Sequence, residues 1–453
     1  MKLKRVNIRN LDQLKEHIQT QRPSLYTGSR TSTVMPYEVP EKLSQGSKDL
    51  CIVDLSTLGP KIHLDEAGNM IISGAMTWQE ARAFCRSKGR MIMTSPTESL
   101  AQVLAGVATS CTGERCFGLG TLRDQLNWVK FYDSRGELVE LSSQKSFASL
   151  WDLSEQEDQL LFEYQESYRP YKDFKNAPFP RFQIQTDLMT GTEGQLGVIV
   201  EASMKTIAFD NLTCLFVRLP KWEQDITAHM EIFEKVQPFR DKIISCELLD
   251  ENSLSYLPKE MAPYKGHDLI FMEIKESDFE SVYESFVSQL ELVKEEDFFC
   301  LDETKCKELR VAVPRSIFEA NSKMGVVKQG TDVQVLGADF EALLKYYRKL
   351  SQLGVEYNLF GHFGDGHLHF NFMPTPSLVD TCQKALKDLY RELPKWKASP
   401  FAEHGIGLLK RPYIEAFYTS TQEAFFEILK SKYDPKNQFF PHGFMQPRLG
   451  EES

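Results

Sequence analysis

The sequence lacks the features that mark several large classes of protein. None of its nine cysteines stands in a C-x-x-C pair, so the clustered thiolates of an iron–sulfur site are missing from this chain. An odd number of scattered cysteines is typical of reduced thiols, and we expect most of them to be small core residues. No run approaches the ~18 apolar residues of a membrane span, and the charged N-terminus has no apolar signal-peptide core. These absences predict a cytoplasmic protein without a membrane span.

A basic stripe is missing as well. The formal net charge is −11, and binding to nucleic acid phosphates would need lysine and arginine clustered on one face. The same charge argues against an electrostatic membrane anchor. The 453 residues, 42% hydrophobic and 26% charged, exceed one ordinary core, so we expect a globular protein of two or three domains that binds no nucleic acid.

Apolar periodicity predicts short strands and helices along the whole chain. In the first part, the predicted strands are at 6–8, 51–55, 69–73, 126–132 and 138–141, and the predicted helices at 11–18 and 78–87. The stretch 22–48 is rich in Ser, Thr, Gly and Pro and is predicted to be loop. Beyond Asn211, predicted strands at 212–219, 243–249 and 269–274 alternate with predicted helices at 225–236 and 280–293. This alternation indicates an α+β domain with an antiparallel sheet.

The strongest local pattern is EYNLFGHFGDGHLHFNF, residues 356–372. Side chains alternate along a strand, so His367, His369 and Asn371 share one face, and a hairpin brings His362 toward them. Clustered imidazoles suit a divalent transition metal, and a Gly-flanked turn offers the carboxylate of Glu403 as a further ligand. A single histidine on a strand is more often a hydrogen-bonded core or surface residue, and spacing alone leaves both interpretations open.

Two glycine-rich segments, GLG at 118–120 and GTEGQLG at 191–197, are tight turns or phosphate cradles. Neither matches G-x-G-x-x-G or the phosphate-loop pattern, so spacing does not decide between the two.

Five stretches occur in the order found in a known family. Residues 191–205 resemble the signature that closes a flavin domain, and residues 95–125 resemble its central flavin loop. Three later stretches resemble the signatures of the C-terminal domain and of the terminal segment: residues 361–372, 402–414 and 433–445. Taken together, the chain resembles the FAD-linked oxidases of the vanillyl-alcohol oxidase superfamily. That family includes glycolate dehydrogenase flavin subunits, D-lactate dehydrogenases and D-2-hydroxyglutarate dehydrogenases.

The resemblance implies an α+β fold in three parts. A PCMH-type, two-subdomain FAD-binding domain is expected over residues 1–208. A ferredoxin-like, antiparallel-sheet substrate domain is expected over 209–399, and a segment over 400–453 that returns to the flavin. It also implies non-covalent FAD and a divalent metal, with zinc as the first choice and manganese or iron as alternatives.

The resemblance also assigns residues by motif position. The expected metal ligands are His362, His369 and Glu403. The expected catalytic residues are His404 as base, Arg310 for the substrate carboxylate, Asn371 and Lys328. The expected flavin-binding residues are Gly28, Ser29, Thr31, Ser32, Pro96, Gly106, Thr109, Ser110, Gly113, Gly118, Glu193, Gly194, Gly197 and Val198. Arg310 and Lys328 have the alternative interpretation of surface charges.

The implied reaction is oxidation of a D-2-hydroxy acid of the lactate, glycolate or 2-hydroxyglutarate type to the 2-oxo acid, with hydride transfer to flavin N5. Electrons would leave to a separate acceptor: a quinone, an electron-transfer flavoprotein or an iron–sulfur protein. The oligomeric state is open, a homodimer included. One alternative is a non-catalytic flavin-binding subunit of a larger dehydrogenase, and another is a degenerate protein that binds metal or small acids without flavin.

One segment departs from the family pattern. Residues 27–32 read Thr-Gly-Ser-Arg-Thr-Ser where the family has Arg-Gly-Gly-Gly-Thr-Ser. Arg30 therefore either crowds the place where the backbone should approach phosphate or pairs with the phosphate itself. No histidine stands in this loop, so a covalent flavin link there is not expected.

Overall fold

The computed structural model describes residues 3–37, 39–45 and 49–447. The chain forms two compact units. The first takes its residues from Met1–Thr112, Thr121–Phe209 and Glu403–Ser453. The second takes Gly113–Gly120 and Asp210–Ala402. Among the described helices, none is both long and apolar enough to cross a membrane.

The described residues of the first unit form ten short strands. Their bounds are β1 Lys4–Asn7, β2 Ser24–Thr27, β3 Cys51–Asp54, β4 Lys61–Leu64, β5 Met70–Ser73, β6 Arg90–Ile92, β7 Leu126–Tyr132, β8 Leu138–Ser142, β9 Val198–Met204 and β10 Thr206–Ala208. β1, β3 and β2 form a parallel sheet in that order. β4-β5-β9-β7-β8 form an antiparallel sheet, and β6 pairs with β10. A separate three-stranded parallel sheet and five-stranded antiparallel sheet within one unit agree with the expected two subdomains.

Helices surround these sheets. Their bounds are Leu11–Gln19, Pro40–Ser44, Trp78–Ser87, Val103–Thr109, Leu122–Gln125, Glu155–Tyr168 and Ser420–Tyr433. The helix Trp78–Ser87 has the predicted bounds, because Thr77 and Glu80 form a capping box at its start. Its buried face, Trp78, Ala81 and Cys85, follows helical spacing.

The second unit contains one large antiparallel sheet. Its strands are β11 Leu212–Leu219, β12 Ile243–Leu249, β13 Asp268–Lys275, β14 Phe298–Asp302, β15 Gln329–Gly330, β16 Val333–Gln334, β17 Tyr357–His362 and β18 His367–Phe372. The order is β14-β11-β13-β12-β17-β18-β15, and β16 also pairs with β18. Its helices are Cys116–Leu119, Thr227–Val236, Glu251–Ser255, Phe279–Val287, Glu303–Met324, Gly337–Ser351 and Val379–Glu392. The predicted α+β fold, with an antiparallel sheet in the second unit, is therefore confirmed.

Two predictions about elements are wrong. The stretch 22–48, predicted to be loop, contains β2 and the helix Pro40–Ser44, and its residues 38 and 46–48 lie outside the described residues. β2 exists because it pairs with β3 along its whole length, a contact that local composition does not reveal. The helix predicted at 280–293 ends at Val287. Beyond this end, the carboxylate of Glu231 accepts the backbone N–H groups of residues 291 and 292, which therefore do not donate within a helix.

Candidate functional site

A cleft in the first unit collects most of the predicted flavin residues. It is lined by the loop at 27–32, by the turn at 193–198 and by apolar side chains such as Leu55, Leu104 and Phe440. Nine predicted residues are in its lining: Gly28, Ser29, Thr31, Ser32, Thr109, Glu193, Gly194, Gly197 and Val198. Sequence reasoning missed Tyr37, Gln102 and Gly407, which line the same cleft from more distant parts of the chain.

The loop at 27–32 offers backbone donors to this cleft. In the described part of the chain, the N–H groups of residues 28–32 have no hydrogen-bond partner. Gly28 approaches Gln102 so closely that a Cβ there would lie 2.4 Å from its Oε1 atom. Consecutive free N–H groups form an anion-binding concavity, so the residues present fit a phosphate group.

Arg30 stands within this loop in the left-handed backbone region, with φ of 57°. A glycine adopts that conformation without strain, which agrees with the glycine of the family pattern. The guanidinium has a partner within the first unit. It reaches Asp54 at the end of β3, with 2.8 Å between Nη2 and Oδ2.

The turn at 193–198 is fastened to the C-terminal segment. The Glu193 carboxylate accepts the backbone N–H groups of Ile406, at 2.5 Å, and Gly407, at 3.0 Å. Desolvation raises the pKa of Glu193, while these two N–H groups lower it. Gly405 leaves room for the carboxylate, since a Cβ there would lie 2.6 Å from Oε1. Glu193 therefore fixes the turn that directly follows Glu403 and His404.

Five predicted flavin residues are not among those lining the cleft within the described chain: Pro96, Gly106, Ser110, Gly113 and Gly118. Packing accounts for some of them. A Cβ on Gly106 would lie 2.6 Å from Cys111 Sγ. The Ser110 hydroxyl donates to Asn176. Gly113 and Gly118 belong to the second unit, where a Cβ on Gly118 would lie 2.3 Å from the Ile243 carbonyl oxygen. Their contact with flavin stays a prediction.

In the second unit, β17 and β18 form the predicted histidine hairpin. His362 and His367 are directly paired across the two strands, and His369 follows two residues later. The ring centroids lie 5.1 Å apart for His362 and His367, and 4.7 Å apart for His367 and His369. The centroids of His362 and His369 are 5.8 Å apart. All three rings are buried.

Each imidazole of this hairpin has a partner that orients the ring. His362 Nδ1 lies 2.9 Å from Glu247, and His367 Nε2 lies 3.0 Å from Asp332. His369 Nδ1 lies 3.2 Å from the carbonyl oxygen of Thr331. A neutral ring that donates from Nδ1 carries its lone pair on Nε2, the arrangement typical of metal-bound histidine. The donor chemistry of His362 and His369 therefore fits a divalent metal.

Glu247 and Asp332 are partners that sequence reasoning missed. Glu247 is the only charged residue of β12, IISCELL, and Asp332 is fully buried after Thr331. A single carboxylate within an apolar strand is a signal for such a role, because burying it alone is costly.

The other predicted catalytic residues of the second unit lie in different surroundings. Asn371 is buried, and its Nδ2 donates to Asn358 at 2.9 Å. Lys328 is exposed in the loop before β15, whose Gly330 pairs with Asn371.

Arg310 lies in a network of buried charges. Its guanidinium pairs with Glu114 and, at 3.4 Å, with Glu273. Arg115 also binds Glu273, at 2.9 Å, and the Ser245 hydroxyl donates to the same carboxylate. The structure thus places the predicted substrate arginine against carboxylates of the chain itself.

Glu403 and His404 begin the C-terminal part of the first unit. Within that unit, Glu403 lies 3.5 Å from the Thr112 hydroxyl. The preceding residue, Ala402, belongs to the second unit and donates its N–H to the Asp332 carbonyl at 3.2 Å.

Comparison with known families gives two matches along the chain. The model for the FAD binding domain matches residues 20–142, which include the cleft loop. The model for the C-terminal domain of FAD linked oxidases matches residues 212–442, just over half of the chain. The chain belongs to the FAD-linked oxidase family. Within this FAD-linked oxidase, the histidine hairpin lies inside the family's C-terminal domain.

Curated relatives of this FAD-linked oxidase are distant. It is 21% identical over 270 residues to glycolate oxidase subunit GlcD of Bacillus subtilis, a match covering 56% of each chain. It is 20% identical over 389 residues to the mitochondrial D-lactate dehydrogenase [cytochrome] of Kluyveromyces lactis, covering 82% of this chain and 61% of the relative. A D-2-hydroxyglutarate dehydrogenase of Xanthomonas citri is 23% identical over 353 residues, covering 73% of this chain and 65% of the relative. The chain thus spans about three fifths of the length of the first two relatives.

Solved structures show the same fold. An alkyldihydroxyacetonephosphate synthase superposes with a TM-score of 0.65 at 14% identity, covering 97% of this chain and 77% of that one. At this identity the likeness concerns the fold alone.

Proposed function

We propose that this FAD-linked oxidase is an FAD-dependent, metal-assisted dehydrogenase that oxidises a D-2-hydroxy acid to the 2-oxo acid. The observation that carries the proposal is the β17–β18 hairpin. It holds three buried imidazoles together, each oriented by a carboxylate or a carbonyl oxygen. A structural histidine is satisfied by its own hydrogen bonds. A metal site, in contrast, requires several imidazoles close together, each oriented by a partner of its own.

The cleft of the first unit is the proposed flavin site. Its free N–H groups at 28–32 fit the pyrophosphate, and its apolar lining fits the aromatic rings of the dinucleotide. When bound there, FAD supplies the hydride acceptor of the reaction. The chain's own part is to hold the dinucleotide and to exclude water from it.

The proposed metal ligands are His362 and His369, through their Nε2 atoms, with Glu403 as the third ligand predicted from its motif. A divalent metal held there would supply a Lewis acid that lowers the pKa of the substrate hydroxyl. Zinc suits this donor set, and manganese and iron suit it as well. Glu247 fixes the tautomer of His362 in this proposal, and the Thr331 carbonyl fixes that of His369.

The proton of the substrate hydroxyl is assigned to His404. Imidazole titrates near neutrality and can accept a proton at one ring nitrogen. Asn371 and Lys328 are assigned to substrate contact by their motif positions. Lys328 lies in the exposed part of the loop before β15 and carries a positive charge that suits an anionic group. Electrons would leave to a separate acceptor of the quinone, electron-transfer flavoprotein or iron–sulfur type.

One observation favours a second candidate, a flavin-binding subunit without its own hydroxy-acid activity. The guanidinium of Arg310, predicted to hold the substrate carboxylate, is paired with Glu114 and Glu273. Two carboxylates of the chain thus already compensate this one guanidinium, which leaves it little positive charge for a substrate anion. In that case the protein would bind flavin, but no hydroxy acid would reduce the bound flavin.

The test mixes the FAD-loaded protein anaerobically with a panel of D- and L-2-hydroxy acids. The flavin absorbance measures how fast each acid reduces the bound flavin. We expect bleaching by at least one D-acid, with the L-acid much slower. The variant His369→Ala should keep bound FAD and lose bleaching together with the metal content measured by mass spectrometry.

The matched control is His63→Ala, which removes an exposed histidine of β4 in the first unit. It should behave as the wild type. Bound FAD that no acid bleaches would establish the second candidate, and full activity in His369→Ala would exclude metal assistance by this hairpin.

A further inference from the structure

The flavin cleft carries very little charge for a site that takes an anionic dinucleotide. Among its lining residues in the described part of the chain, Arg30 is the only cation and Glu193 the only anion. The whole chain has a net charge of −11, so the long-range field does not attract an anion either. Any charge-assisted hydrogen bond from a lining side chain to the pyrophosphate must therefore come from Arg30.

Arg30 is also the residue best placed in the loop to supply that bond. It lies in the middle of the five backbone N–H groups at 28–32 that have no partner in the described chain. It also has a positive φ, a backbone conformation that occurs in anion-binding loops. The backbone N–H groups of the loop and the arginine within it are two separate indications that the ligand is an anion.

The guanidinium, however, is held by Asp54. The pair has a distance of 2.8 Å, and its side chains are 29% and 19% exposed. Partly exposed ion pairs of this kind contribute little stability, whereas an arginine fork on phosphate forms stronger, charge-assisted bonds. Asp54 therefore holds Arg30 weakly enough to give it up to a pyrophosphate.

We propose that Asp54 is an internal competitor for the pyrophosphate of the dinucleotide and thereby sets the affinity of this protein for FAD. In the cofactor-free protein, Arg30 binds Asp54. In the loaded protein, Arg30 binds the pyrophosphate, and Asp54 keeps its second bond, from the Ser56 N–H to Oδ1 at 2.9 Å. The inference rests on the proposed function, because it takes FAD as the ligand of this cleft.

The test compares FAD affinity in wild type, Asp54→Asn and a matched control, by titration of apoprotein and quenching of flavin fluorescence. The control is Glu201→Gln. It removes the same charge from a pair of similar exposure, Lys130–Glu201 at 2.7 Å and 30% each, outside the cleft lining. We expect Asp54→Asn to lower the Kd for FAD about two- to fivefold, the range of one exposed ion pair, and Glu201→Gln to leave it unchanged.

A second set of measurements identifies the group that is sensed. ADP, which carries the pyrophosphate, should gain affinity in Asp54→Asn, and riboflavin, which has no phosphate, should not. In an Arg30→Gln background, Asp54→Asn should have no effect on FAD binding. The amide oxygen introduced by Asp54→Asn can still accept the Ser56 N–H, and thermal unfolding of the apoprotein checks that each variant is folded.

The outcomes separate the two ideas. Weaker FAD binding in Asp54→Asn, or an equal gain for riboflavin, overturns the competition while leaving flavin binding intact. If neither wild type nor Asp54→Asn binds FAD or ADP, the proposed function fails and the inference fails with it. FAD binding by Asp54→Asn but not by wild type is the strongest support, because Asp54 alone then blocks the site.

Discussion

Single buried charges hold distant parts of the first unit together. The ammonium of Lys430 is fully buried and donates to three acceptors: the Gln195 carbonyl, the Phe439 carbonyl and the carboxylate of Asp434. Gln195 belongs to the turn that lines the cleft, and Phe439 lies in the terminal stretch. Lys430 therefore fastens the turn of one predicted flavin motif to the terminal stretch of another.

Lys430→Met should destabilise the protein by about 3–5 kcal/mol, because it leaves Asp434 buried without its cation. Urea unfolding followed by fluorescence measures the change. The control on the same helix is Lys432→Met, since Lys432 is 38% exposed and only 4.0 Å from Glu157. Its effect should stay within about 1 kcal/mol, the loss of this ion pair and of the cation–π contact with Trp151. Similar losses in both variants would contradict the role given to Lys430.

Asp250 predicts a pH dependence of stability. It is buried, and burial together with the nearby carboxylate of Asp268 raises the pKa of Asp250 to about 8, against 3.8 in an unfolded chain. Between these two values the folded state holds a proton that the unfolded state has released. The contribution of this group to stability should therefore be fully present below about pH 4 and be lost as pH rises toward 8, with a limiting slope of about 1.4 kcal/mol per unit.

Asp250→Asn should remove this slope between pH 5 and 8 in denaturant unfolding. The helix cap survives, because Asn accepts the Ser253 N–H as Asp250 does at 2.8 Å. The control is Asp302→Asn, another helix cap of the second unit, whose pKa is lowered by its backbone bonds. An unchanged slope in Asp250→Asn would assign the pH dependence to other groups.

At the scale of elements, the hairpin of β17 and β18 depends on its neighbours. β12 supplies Glu247 to His362, and the segment between β15 and β16 supplies Thr331 and Asp332 to the other two imidazoles. The rings are thus oriented by two elements that flank the hairpin in the sheet.

Glu247→Gln should weaken zinc binding about tenfold or more, because a neutral amide polarises the His362 ring less than a carboxylate does. Competition with a chelating dye gives the zinc affinity. Glu356→Gln, just before β17, removes an exposed carboxylate from the same hairpin and should leave the affinity unchanged. An equal fall in the two variants would point to general electrostatics instead of ring orientation.

The sequence alone predicts elements where the pattern is local. The bounds of β7, β11, β12 and the helix Trp78–Ser87 follow from alternation, helical spacing and capping, and the structure has them at the predicted residues. β2 and Pro40–Ser44 escaped because a four-residue strand depends on its partner and a five-residue helix has little periodicity.

The residues of the candidate site also fall into two groups: those that a local sequence pattern reveals and those that it does not. The histidine hairpin and the two glycine-rich stretches are visible because they are contiguous in sequence. Glu247, Asp332 and Asp54 are not, since each acts on a residue at least 24 positions away. The pairing of Arg310 with Glu114 is of this kind too, because it joins segments almost 200 residues apart.

At the scale of the whole molecule, the division into two compact units predicts which segments change their hydrogen-exchange rate when the cofactor binds. FAD should slow hydrogen exchange in peptides covering 27–34 and 192–198 of the first unit, because the cleft lies there. Peptides covering β8, at the edge of its sheet, should not change. The stretch 113–120, which packs within the second unit, is a separate test. Protection there would support the predicted flavin contact of Gly113 and Gly118.

The first unit is assembled from segments that are far apart in the chain, and this has a consequence for the order of events during synthesis. The Ser24 N–H donates to the Gln438 carbonyl at 2.7 Å, and the Phe440 N–H returns to the Ser24 carbonyl at 2.8 Å. A ribosome makes these two partners more than 400 residues apart, and the whole of 210–402 emerges between them. The second unit can therefore complete its folding while the first unit still lacks its C-terminal segment. Until that segment is made, the first unit has an open sheet edge that is exposed to chaperones and to misassembly.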